Sequence, residues 1–353
     1  MKVPLPKGKY IKNIEVNDDG LDIQFSERKR VALLFISLNE RYWPYLKQVV
    51  QDCKTNFLPQ HKVDYFVWSD MPENELKDVT VIPTEPIEWP HPTLMRYHLF
   101  LQQEEKLKDY DYVFYLDADM RVVDKISDEI LGEDLTVALH PMYDLNPTFI
   151  PPYEPNVNSA SFIPRLGQIV DEATQKAGTP QDIMAKGGKP RFKPLYLAGG
   201  FQGGITKEFI KAMKVMRDSI DKDFNQNYTA IWNDESHWNK YMFDKKGPIL
   251  GTKIIVLGPE YIHPDSLIKE YYEPRWGRKL KPKIITLTKP FSLSKEGGKH
   301  LNEIIGGLPA SQQHQPFECP TCHDIFDVPG HVIHRVVRCP GSGQPHQMDM
   351  KKV

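Results

Sequence analysis

The sequence predicts an α/β fold, in which a sheet with parallel strands is covered by helices. Two apolar runs, Val31–Ser37 and Tyr112–Leu116, are typical of strands that are buried on both faces. A helical pattern follows the first run, and strand-like and helical segments then alternate along the chain, which indicates βαβ units rather than a sandwich. The length of 353 residues corresponds to about two domains, or to one large α/β domain with additions.

The composition gives no strong global charge. The chain carries 45 basic and 47 acidic residues, so we expect neither nucleic acid nor a membrane surface as a partner of the main domain. Its 30 prolines and 16 tyrosines favour a loop-rich enzyme with aromatic clefts over a helical bundle. No basic and apolar leader opens the sequence, and nowhere do about 18 apolar residues follow one another. We therefore expect no signal peptide, no membrane span and a cytoplasmic location.

Residues 1–30 are polar and of mixed charge, which predicts an irregular lead-in or a short edge hairpin. The strand at Val31–Ser37 is followed by polar residues, and ligands bind at this end of the strands in open α/β sheets. Pro44 suits the first turn of a helix, whose apolar residues recur at helical spacing: Leu46, Val49, Cys53 and Phe57. Cys53 is therefore predicted to be a core residue rather than a reactive thiol.

Two further strands are predicted at Val63–Trp68 and Val79–Pro83. Thr93 suits the N-cap of the next helix, whose apolar stripe consists of Leu94, Tyr97, Leu101 and Leu107. Arg96 lies outside this stripe, and spacing alone predicts that it is a solvated helix charge. The alternative is that it reaches a phosphate or a sugar hydroxyl near a metal ion.

The apolar run Tyr112–Leu116 ends in two acidic residues, Asp117 and Asp119. Successive residues of a strand point to opposite faces, so both carboxylates are predicted on one side and Ala118 on the other. Two hard oxygen donors at the carboxyl end of a buried strand suit Mg²⁺ or Mn²⁺ carrying a diphosphate. The alternative is a strand-to-loop transition that happens to be acidic.

Two later segments are predicted to border a cleft. Thr136–Leu139 predicts a strand that leads to His140, and the segment from Tyr143 to Pro164, rich in Pro, Asn and Ser, predicts an ordered loop over the cleft. Leu195–Gly204 contains two glycine pairs and opens a helix, and such glycines permit close approach of the backbone to a ligand. A tight packing turn is the alternative.

Trp232–Tyr241 is the second segment with the composition of a site. It holds the adjacent acids Asp234 and Glu235, then His237, with aromatic residues on both sides. Carboxylates for hydroxyls and for developing positive charge, beside indole faces for stacking, are typical of sugar sites. The alternative is the solvated first turn of a helix, where acidic residues are expected.

The last part of the chain combines a strand, a basic stretch and a cysteine-rich tail. Lys253–Leu257 predicts the final strand, and Arg275–Lys289 either closes over a diphosphate or forms a solvated basic surface. The tail, residues 306–353, contains a predicted zinc knuckle at 316–345 whose tetrahedral ligands are Cys319, Cys322, His334 and Cys339. His334 is preferred over His331 as the fourth ligand. A module this small needs its metal to fold.

Taken together, these motifs resemble glycosyltransferase family 6, which contains the blood-group A and B transferases and the α-1,3-galactosyltransferases, including bacterial members. The likeness runs from about Val31 to Pro264, in the order of the family. The motifs that carry it are Tyr42 with the following helix, Asp70, Trp89–Pro90, Thr93–Arg96, Leu116–Asp119, Leu139–Pro141, Ser161–Pro164, Ala198–Gly204, Trp232–His237 and Asn239–Tyr241.

The resemblance implies a GT-A fold with a Rossmann-like mixed sheet over residues 31–305. It implies a retaining transferase that moves N-acetylgalactosamine or galactose from a UDP donor, in α-1,3 linkage, onto a galactoside-containing glycan. Asp117 and Asp119 would hold Mn²⁺ (or Mg²⁺) on the donor diphosphate, and Glu235 would be catalytic. The other implied donor-binding residues are Ser37, Asn39, Tyr42, Arg96, Ala118, Ala198, Gly199, Gly200 and Asp234. The implied acceptor-binding residues are His140, Trp232 and Glu235. Small residues at 198–200 leave room for an acetamido group, which favours N-acetylgalactosamine.

The chain departs from the family at several points. Asn233 stands where the family usually has histidine, and Pro264 occupies a position that is acidic in the animal enzymes. Both metal-binding acids are kept, as in the animal enzymes, whereas many bacterial relatives have Asn-Ala-Asn. The cysteine-rich tail lies outside the family pattern, and the expected lack of a membrane anchor points to a bacterial or bacteriophage source.

Two other functions agree with parts of the sequence. A sugar- or nucleotide-binding module without catalysis, with the tail as a docking element, would have no chemical need for Asp117, Asp119 and Glu235 together. A metal-dependent nucleotidyltransferase shares the acidic pair but has no need of the Trp232–His237 group. The sequence therefore favours the transferase.

Overall fold

A computed structural model describes the backbone of residues 7–17, 20–71, 76–145, 151–163, 195–246, 253–265, 272–273 and 278–288, together with four short strands after residue 313. Its strands are β1 (Lys9–Asn17), β2 (Gly20–Glu27), β3 (Arg30–Ser37), β4 (Lys62–Ser69), β5 (Val79–Pro83), β6 (Tyr112–Leu116), β7 (Met120–Val122), β8 (Leu135–Leu139), β9 (Leu197–Ile205), β10 (Ile255–Leu257), β11 (His263–Pro264), β12 (Tyr272–Glu273), β13 (Arg278–Lys279), β14 (Ile284–Thr286), β15 (His314–Glu318), β16 (Ile325–Pro329), β17 (His334–Arg338) and β18 (Pro345–Asp349). The α-helices of the described residues are α1 (Trp43–Asn56), α2 (His91–Leu94), α3 (Arg96–Leu101), α4 (Glu104–Leu107), α5 (Pro141–Leu145), α6 (Thr206–Phe224) and α7 (Asn233–Lys246).

The central sheet has seven strands in the order β10-β8-β9-β6-β3-β4-β5. β9 runs antiparallel to its neighbours β6 and β8, while the other neighbouring strands pair in parallel. The predicted α/β class and the mixed sheet are confirmed. Because β3 and β6 are parallel neighbours, their carboxyl ends lie at the same edge of the sheet.

Strand β9 is the main element that the sequence analysis missed. Leu195–Gly204 is predicted as a Gly-rich segment that opens a helix, but Leu197–Ile205 is a strand between β6 and β8, and the helix begins only at Thr206. A Cβ on Gly203 would lie 2.6 Å from the carbonyl oxygen of Val113. Only glycine fits so close to the neighbouring strand, so this glycine serves the packing of β9 against β6.

Both faces of the sheet are covered, which explains the apolar runs of its strands. One face of the sheet packs against α1, and the core between them includes Phe35 and Cys53. The other face packs against α3 and α7, and the core there includes Leu34, Tyr97 and Trp238. Burial raises the pKa of the Cys53 thiol well above its usual value, so the prediction of an inert core residue is confirmed. None of the described helices combines the length and the apolar character that a membrane span needs.

The helix predicted to start at Thr93 is divided into three short helices, α2, α3 and α4. The first begins at His91, so Thr93 is not the N-cap, and its hydroxyl donates to the Pro90 carbonyl at 2.8 Å. Arg96 opens α3 and is 4% exposed. The prediction of a solvated helix charge at this position is therefore wrong.

The two ends of the chain form small separate sheets. β1 and β2 pair as an antiparallel hairpin, which agrees with the hairpin alternative for residues 1–30. In the tail, β15 pairs with β16 and β17 with β18. The predicted zinc ligands Cys319, Cys322 and Cys339, and the alternative His331, lie outside the described residues, and for His334 only the backbone at the start of β17 is described.

Part of the basic stretch Arg275–Lys289 belongs to the folded body. β14 joins β7 and β11 in a three-stranded sheet. Lys281 forms an ion pair with Asp124 at 2.7 Å, and Lys283 forms one with Glu129 at 2.5 Å. These two lysines pair with acidic residues of the protein, which favours the surface alternative for them; the first residues of the stretch and Lys289 lie outside the described part.

Candidate active site

Asp117 follows β6 and lies against the glycines of β9. Its backbone N–H donates to the Gly200 carbonyl at 3.0 Å, and the hydroxyl of Tyr115 donates to its carboxylate. A Cβ on Gly200 would lie 2.5 Å from Oδ2 of Asp117 and 2.4 Å from Cε of Met120. These contacts hold the Asp117 carboxylate at the carboxyl edge of the sheet, with 31% of its side chain still exposed.

The small residues at 198–200 hold protein groups close together. A Cβ on Gly199 would lie 3.2 Å from Cβ of Glu235, the corresponding space beside Gly200 is filled by Asp117, and Ala198 is 1% exposed. A side chain at Gly200 would therefore meet Asp117 and Met120. The expectation that residues 198–200 leave room for an acetamido group stays a prediction.

Arg96 connects the two acidic motifs. Its Nη1 donates to the Gly199 carbonyl at 3.0 Å and lies 3.1 Å from Oδ2 of Asp234, while Nη2 lies 3.5 Å from Oδ1 of Asp117. The guanidinium also lies over the Tyr115 ring, 4.3 Å from its centroid. Burial by itself lowers the pKa of Arg96, but the neighbouring carboxylates of Asp234 and Asp117 raise it above its usual value. Arg96 thus stays charged and neutralises part of the buried acidity.

Glu235 and Asp234 open α7 and face the glycines of β9. The Gly199 N–H donates to Oε2 of Glu235 at 2.7 Å. Glu235 keeps part of its surface exposed, but the packing around its carboxylate raises its pKa to about 8, an effect that the hydrogen bond from Gly199 partly offsets. Burial raises the pKa of Asp234 to about 7, with Arg96 acting in the opposite direction. The alternative of a solvated first turn is wrong for Asp234, which is 4% exposed.

Asn239 fixes the start of α7 to β9. Its Oδ1 accepts from the Leu197 N–H at 2.9 Å, and its Nδ2 donates to the carbonyls of Leu197 and Glu235, both at 2.9 Å. Asn239 lies one helical turn after Glu235, so it projects from the same face of α7. This amide therefore sets the distance between the Glu235 carboxylate and the backbone of β9.

His140 follows β8 and belongs to an aromatic cluster beside Glu235. Its ring centroid lies 4.9 Å from that of Tyr143 and 5.8 Å from that of Tyr196. After burial, the charge of Glu235 is the next cause that raises the pKa of both tyrosines, of Tyr143 to about 12. Burial lowers the pKa of His140 to about 4, so the imidazole is neutral. Its buried Nδ1 makes no hydrogen bond within the described part of the chain. Trp232, just before α7, is 37% exposed.

Asp119 completes the acidic pair after β6. It is 7% exposed, and its backbone carbonyl accepts from the Leu287 N–H at 3.0 Å, which brings the segment after β14 to the site. Within the described residues, no group of three or more His, Cys, Asp or Glu forms a complete metal site. Two hard carboxylates that leave positions for phosphate oxygens are a donor set that fits Mg²⁺ or Mn²⁺ bound together with a diphosphate.

The implied nucleotide-binding residues Ser37, Asn39 and Tyr42 lie at the end of β3, one strand from Asp117. The backbone N–H of Asn39 donates to the carboxylate of Asp70 at 3.0 Å. Asn39 has a positive φ of 91°, a backbone conformation that residues other than glycine rarely adopt. The Asp70 carboxylate therefore stabilises this turn.

Sequence reasoning gave no role in the site to three residues that shape it: Tyr115, Tyr196 and Asn239. The first and the last had a signal in their spacing, because Tyr115 precedes Asp117 by two strand positions and Asn239 follows Glu235 by one helical turn. Tyr196 had none. His237, which the sequence grouped with the acids, is 1% exposed and makes a hydrogen bond of 2.8 Å with Oγ of Ser219 instead.

Comparisons with known proteins cover most of the chain. The model of glycosyltransferase family 6 matches residues 11–186 and 192–281. Histo-blood group ABO system transferase 1 from Rattus norvegicus is 27% identical over 262 residues, which cover 71% of this chain and 66% of the rat protein. O-antigen biosynthesis glycosyltransferase WbnI from Escherichia coli is 24% identical over 228 residues, 64% of this chain and 86% of that protein. Globoside alpha-1,3-N-acetylgalactosaminyltransferase 1 from Gallus gallus is 25% identical over 238 residues, 64% of this chain and 59% of the chicken protein. The chain thus spans slightly less than two thirds of the length of the rat and chicken relatives.

Proposed function

We propose that this chain, which belongs to glycosyltransferase family 6, moves galactose or N-acetylgalactosamine from a UDP donor onto a galactoside-containing glycan in α-1,3 linkage, with retention of configuration. The observation that carries the proposal is the position of the Glu235 carboxylate. It is bound to the Gly199 N–H at 2.7 Å and lies next to the Arg96, Asp117 and Asp234 group on one side and a neutral aromatic cluster on the other. A charged half and an aromatic half suit a donor diphosphate and a sugar acceptor, respectively.

For the donor side, we infer that Asp117 and Asp119 hold a divalent cation. When bound, Mn²⁺ or Mg²⁺ would neutralise the charge that develops on the diphosphate leaving group. Ser37, Asn39 and Tyr42 would contact the nucleotide from the neighbouring strand end. Arg96 already makes ion pairs with two carboxylates, so its main role in the donor site is to keep Asp117 and Asp234 in place.

For the chemical step, we assign the central role to Glu235. Retention requires either a covalent glycosyl-enzyme or departure and attack on the same face of the sugar. In the first case Glu235 is the nucleophile, and in the second it stabilises positive charge and orients the acceptor hydroxyl. Both roles need the ionised carboxylate, and burial opposes that form by raising its pKa to about 8. The hydrogen bond from Gly199 favours it.

For the acceptor side, we assign His140 and Trp232. Neutral His140 lies next to the tyrosines that border Glu235. An imidazole nitrogen can accept or donate one hydrogen bond to a sugar hydroxyl. Trp232 is 37% exposed, and sugars stack on indole rings.

The proposal is tested by incubating the protein with a panel of UDP-sugars, with and without β-galactosides, and measuring UDP release and linked product. We expect transfer from UDP-galactose or UDP-N-acetylgalactosamine, stimulated by Mn²⁺ and largely lost in Asp119→Asn. Undiminished turnover in excess chelator would contradict the metal assignment. Transfer of no UDP-sugar by a folded, Mn²⁺-loaded protein would contradict the function.

For the tail, we propose a zinc knuckle formed by Cys319, Cys322, His334 and Cys339 that takes no part in transfer. The compact spacing of the cysteines supports it, as does the long separation in sequence from every donor-site motif. A chain that ends after Gly307 should keep its activity and lose about one equivalent of zinc by elemental analysis. Loss of activity in a truncated protein that still folds would show that the two parts depend on each other.

A further inference from the structure

Glu154 is a buried carboxylate within the segment 151–163, which lies between α5 and β9 in the chain. It is 1% exposed. Its Oε1 accepts from the Asn156 N–H at 2.8 Å and from the Tyr228 hydroxyl at 2.7 Å, and its Oε2 accepts from the Ile231 N–H at 2.7 Å. All three donors are neutral. A buried carboxylate held only by neutral donors costs free energy to keep ionised, which raises its pKa.

The same segment is attached a second time, to the end of α6. Asp223, 1% exposed, accepts from the Ser159 hydroxyl at 2.6 Å and from the Ala160 N–H at 2.7 Å. The backbone carbonyl of Asp223 also accepts from the Tyr228 N–H at 2.9 Å. Glu154 therefore joins the segment 151–163 to the loop 225–232, and Asp223 joins the same segment to the end of α6. The segment and the loop contain no regular secondary structure.

Tyr153, next to Glu154, connects the segment to the other side of the proposed acceptor site. Its hydroxyl donates to the Leu195 carbonyl, and its ring lies 5.7 Å from that of Tyr196, which in turn contacts His140. Glu154 binds the Ile231 N–H, one residue before Trp232. Two consecutive residues thus hold the aromatic cluster with one side chain and the Trp232 loop with the other.

We propose that Glu154 is a positioning residue for acceptor recognition, which fixes the loop carrying Trp232 relative to the His140 cluster. The inference rests on the proposed function, since it takes Trp232 and His140 as the acceptor side. An indole can stack on a sugar ring only if its backbone is held. The start of α7 holds Trp232 itself, because the Trp232 N–H donates to Oγ of Ser236 at 3.2 Å. Glu154 holds the preceding residue, Ile231, and joins this end of the loop 225–232 to the segment 151–163.

The main test is Glu154→Gln. All three partners of the carboxylate are donors, so the amide nitrogen of glutamine must face a donor and at least one hydrogen bond is lost. We expect the KM for the acceptor to rise about 10- to 100-fold, the range of one or two lost hydrogen bonds to a charged group. The KM for the donor and the rate of donor hydrolysis without acceptor should stay within about two-fold. Tyr228→Phe removes one of the three hydrogen bonds and should shift the acceptor KM in the same direction by less.

A matched control is Glu129→Gln. Glu129 is a partly buried carboxylate that also accepts several hydrogen bonds, from Ser127, Tyr261 and Lys283, but these partners belong to neither acceptor element. It should leave the acceptor KM unchanged. If Glu154→Gln changes donor and acceptor KM equally, or neither, the proposal is wrong. If Glu154→Gln does not fold, the same criteria apply to Tyr228→Phe.

A second measurement does not depend on activity. The contribution of Trp232 to the fluorescence is obtained as the difference between each protein and its Trp232→Phe derivative. In Glu154→Gln we expect this contribution to be quenched more strongly by acrylamide and to lose anisotropy. A Trp232 signal that Glu154→Gln leaves unchanged would overturn the positioning role. If that signal changes as expected while no glycan accepts a sugar from the wild type, the loop support stands and the proposed function is what fails.

Discussion

At the scale of single residues, the site depends on how a buried positive charge is shared. Arg96 lies within 3.0–3.5 Å of a backbone carbonyl and two carboxylates that come from three different elements. Ion pairs in such surroundings contribute little net stability as long as both partners are present, but removal of one partner leaves the other uncompensated. The consequence of this asymmetry can be measured directly.

Arg96→Met should lower the free energy of unfolding by about 3–5 kcal/mol at pH 8, because it leaves two carboxylates without their cation. The loss should be smaller at pH 5, since Asp234, whose pKa is already raised to about 7, then takes up a proton. Urea unfolding at the two pH values measures both numbers. Arg121→Met is the control, because its pair with Asp52 is 37% exposed on the arginine side and should contribute about 1 kcal/mol or less. Equal losses for the two variants would contradict the assignment of Arg96 as the central charge.

Glu235→Gln should bind the UDP-sugar nearly as well as the wild type but transfer it about 10²- to 10⁴-fold more slowly, because either proposed role needs a negative oxygen. Single-turnover rates and calorimetric donor binding separate the two effects. Glu105→Gln, on a side chain that is 86% exposed, serves as the control. Transfer within a few-fold of the wild type would remove Glu235 from the chemical step even if the family assignment stands.

At the scale of elements, the site is a junction between one strand and one helix. β9 brings Gly199 and Gly200 against Asp117, and α7 brings Asp234 and Glu235 against the same glycines. Asn239 connects the two elements. The side-chain amide of Asn239 both accepts from and donates to β9. The junction therefore depends on Nδ2 being a hydrogen-bond donor and Oδ1 an acceptor.

Asn239→Ala should cost about 1–3 kcal/mol, the cost of leaving buried backbone groups of Leu197 unpaired. Asn239→Asp should cost more at pH 8, because a carboxylate oxygen then faces the carbonyls of Leu197 and Glu235 in place of Nδ2. Chemical denaturation measures the two losses, and Asn225→Ala, at an exposed position after α6, provides the control. An Asn239→Asp protein as stable as the wild type would show that the hydrogen bonds of this amide are not needed.

At the scale of the whole molecule, buried carboxylates and buried histidines have opposite effects on how stability changes with pH. Asp234 and Glu235 have pKa values raised to about 7 and about 8, and His140 and His237 have pKa values lowered to about 4 and about 3, in all four cases mainly by burial. Between about pH 6.5 and pH 8 the folded protein binds more protons than the unfolded chain at the two carboxylates, so stability falls as the pH rises. Below about pH 6.5 the unfolded chain protonates its histidines, which opposes any further gain.

We therefore expect the metal-free protein to be most stable near pH 6 to 6.5 and to have a thermal midpoint several degrees lower at pH 8. Glu235→Gln should flatten this decline, because it removes the carboxylate with the higher pKa of the two. Scanning calorimetry in chelator across pH 5–9 tests both statements. Stability that rises steadily from pH 6.5 to pH 8 would contradict the raised pKa values.

The sequence by itself determined the parts of this protein that depend on local pattern. Apolar runs located β3, β4, β5, β6 and β8 almost to the residue, and helical spacing placed Cys53 in the core, because burial of apolar side chains repeats with the period of the element. The acidic residues after β6 and at the start of α7 also stand out by local pattern, because each group directly adjoins an apolar or aromatic run. The sequence could not show which groups from different segments form ion pairs or pack closely against one another.

Only the tertiary structure decided that Arg96 is buried, that the glycines of Leu197–Ile205 belong to a central strand, and that the space beside Gly200 is filled by Asp117. A charged residue is buried only when its partners arrive from other elements, here from β6, β9 and α7. A glycine is required in a strand only when a neighbouring backbone or side chain comes too close for a Cβ. Both conditions are set by distances between separate segments, in several cases far apart in the chain, such as Arg96 and Gly199 or β6 and β9. Local periodicity carries no information about them.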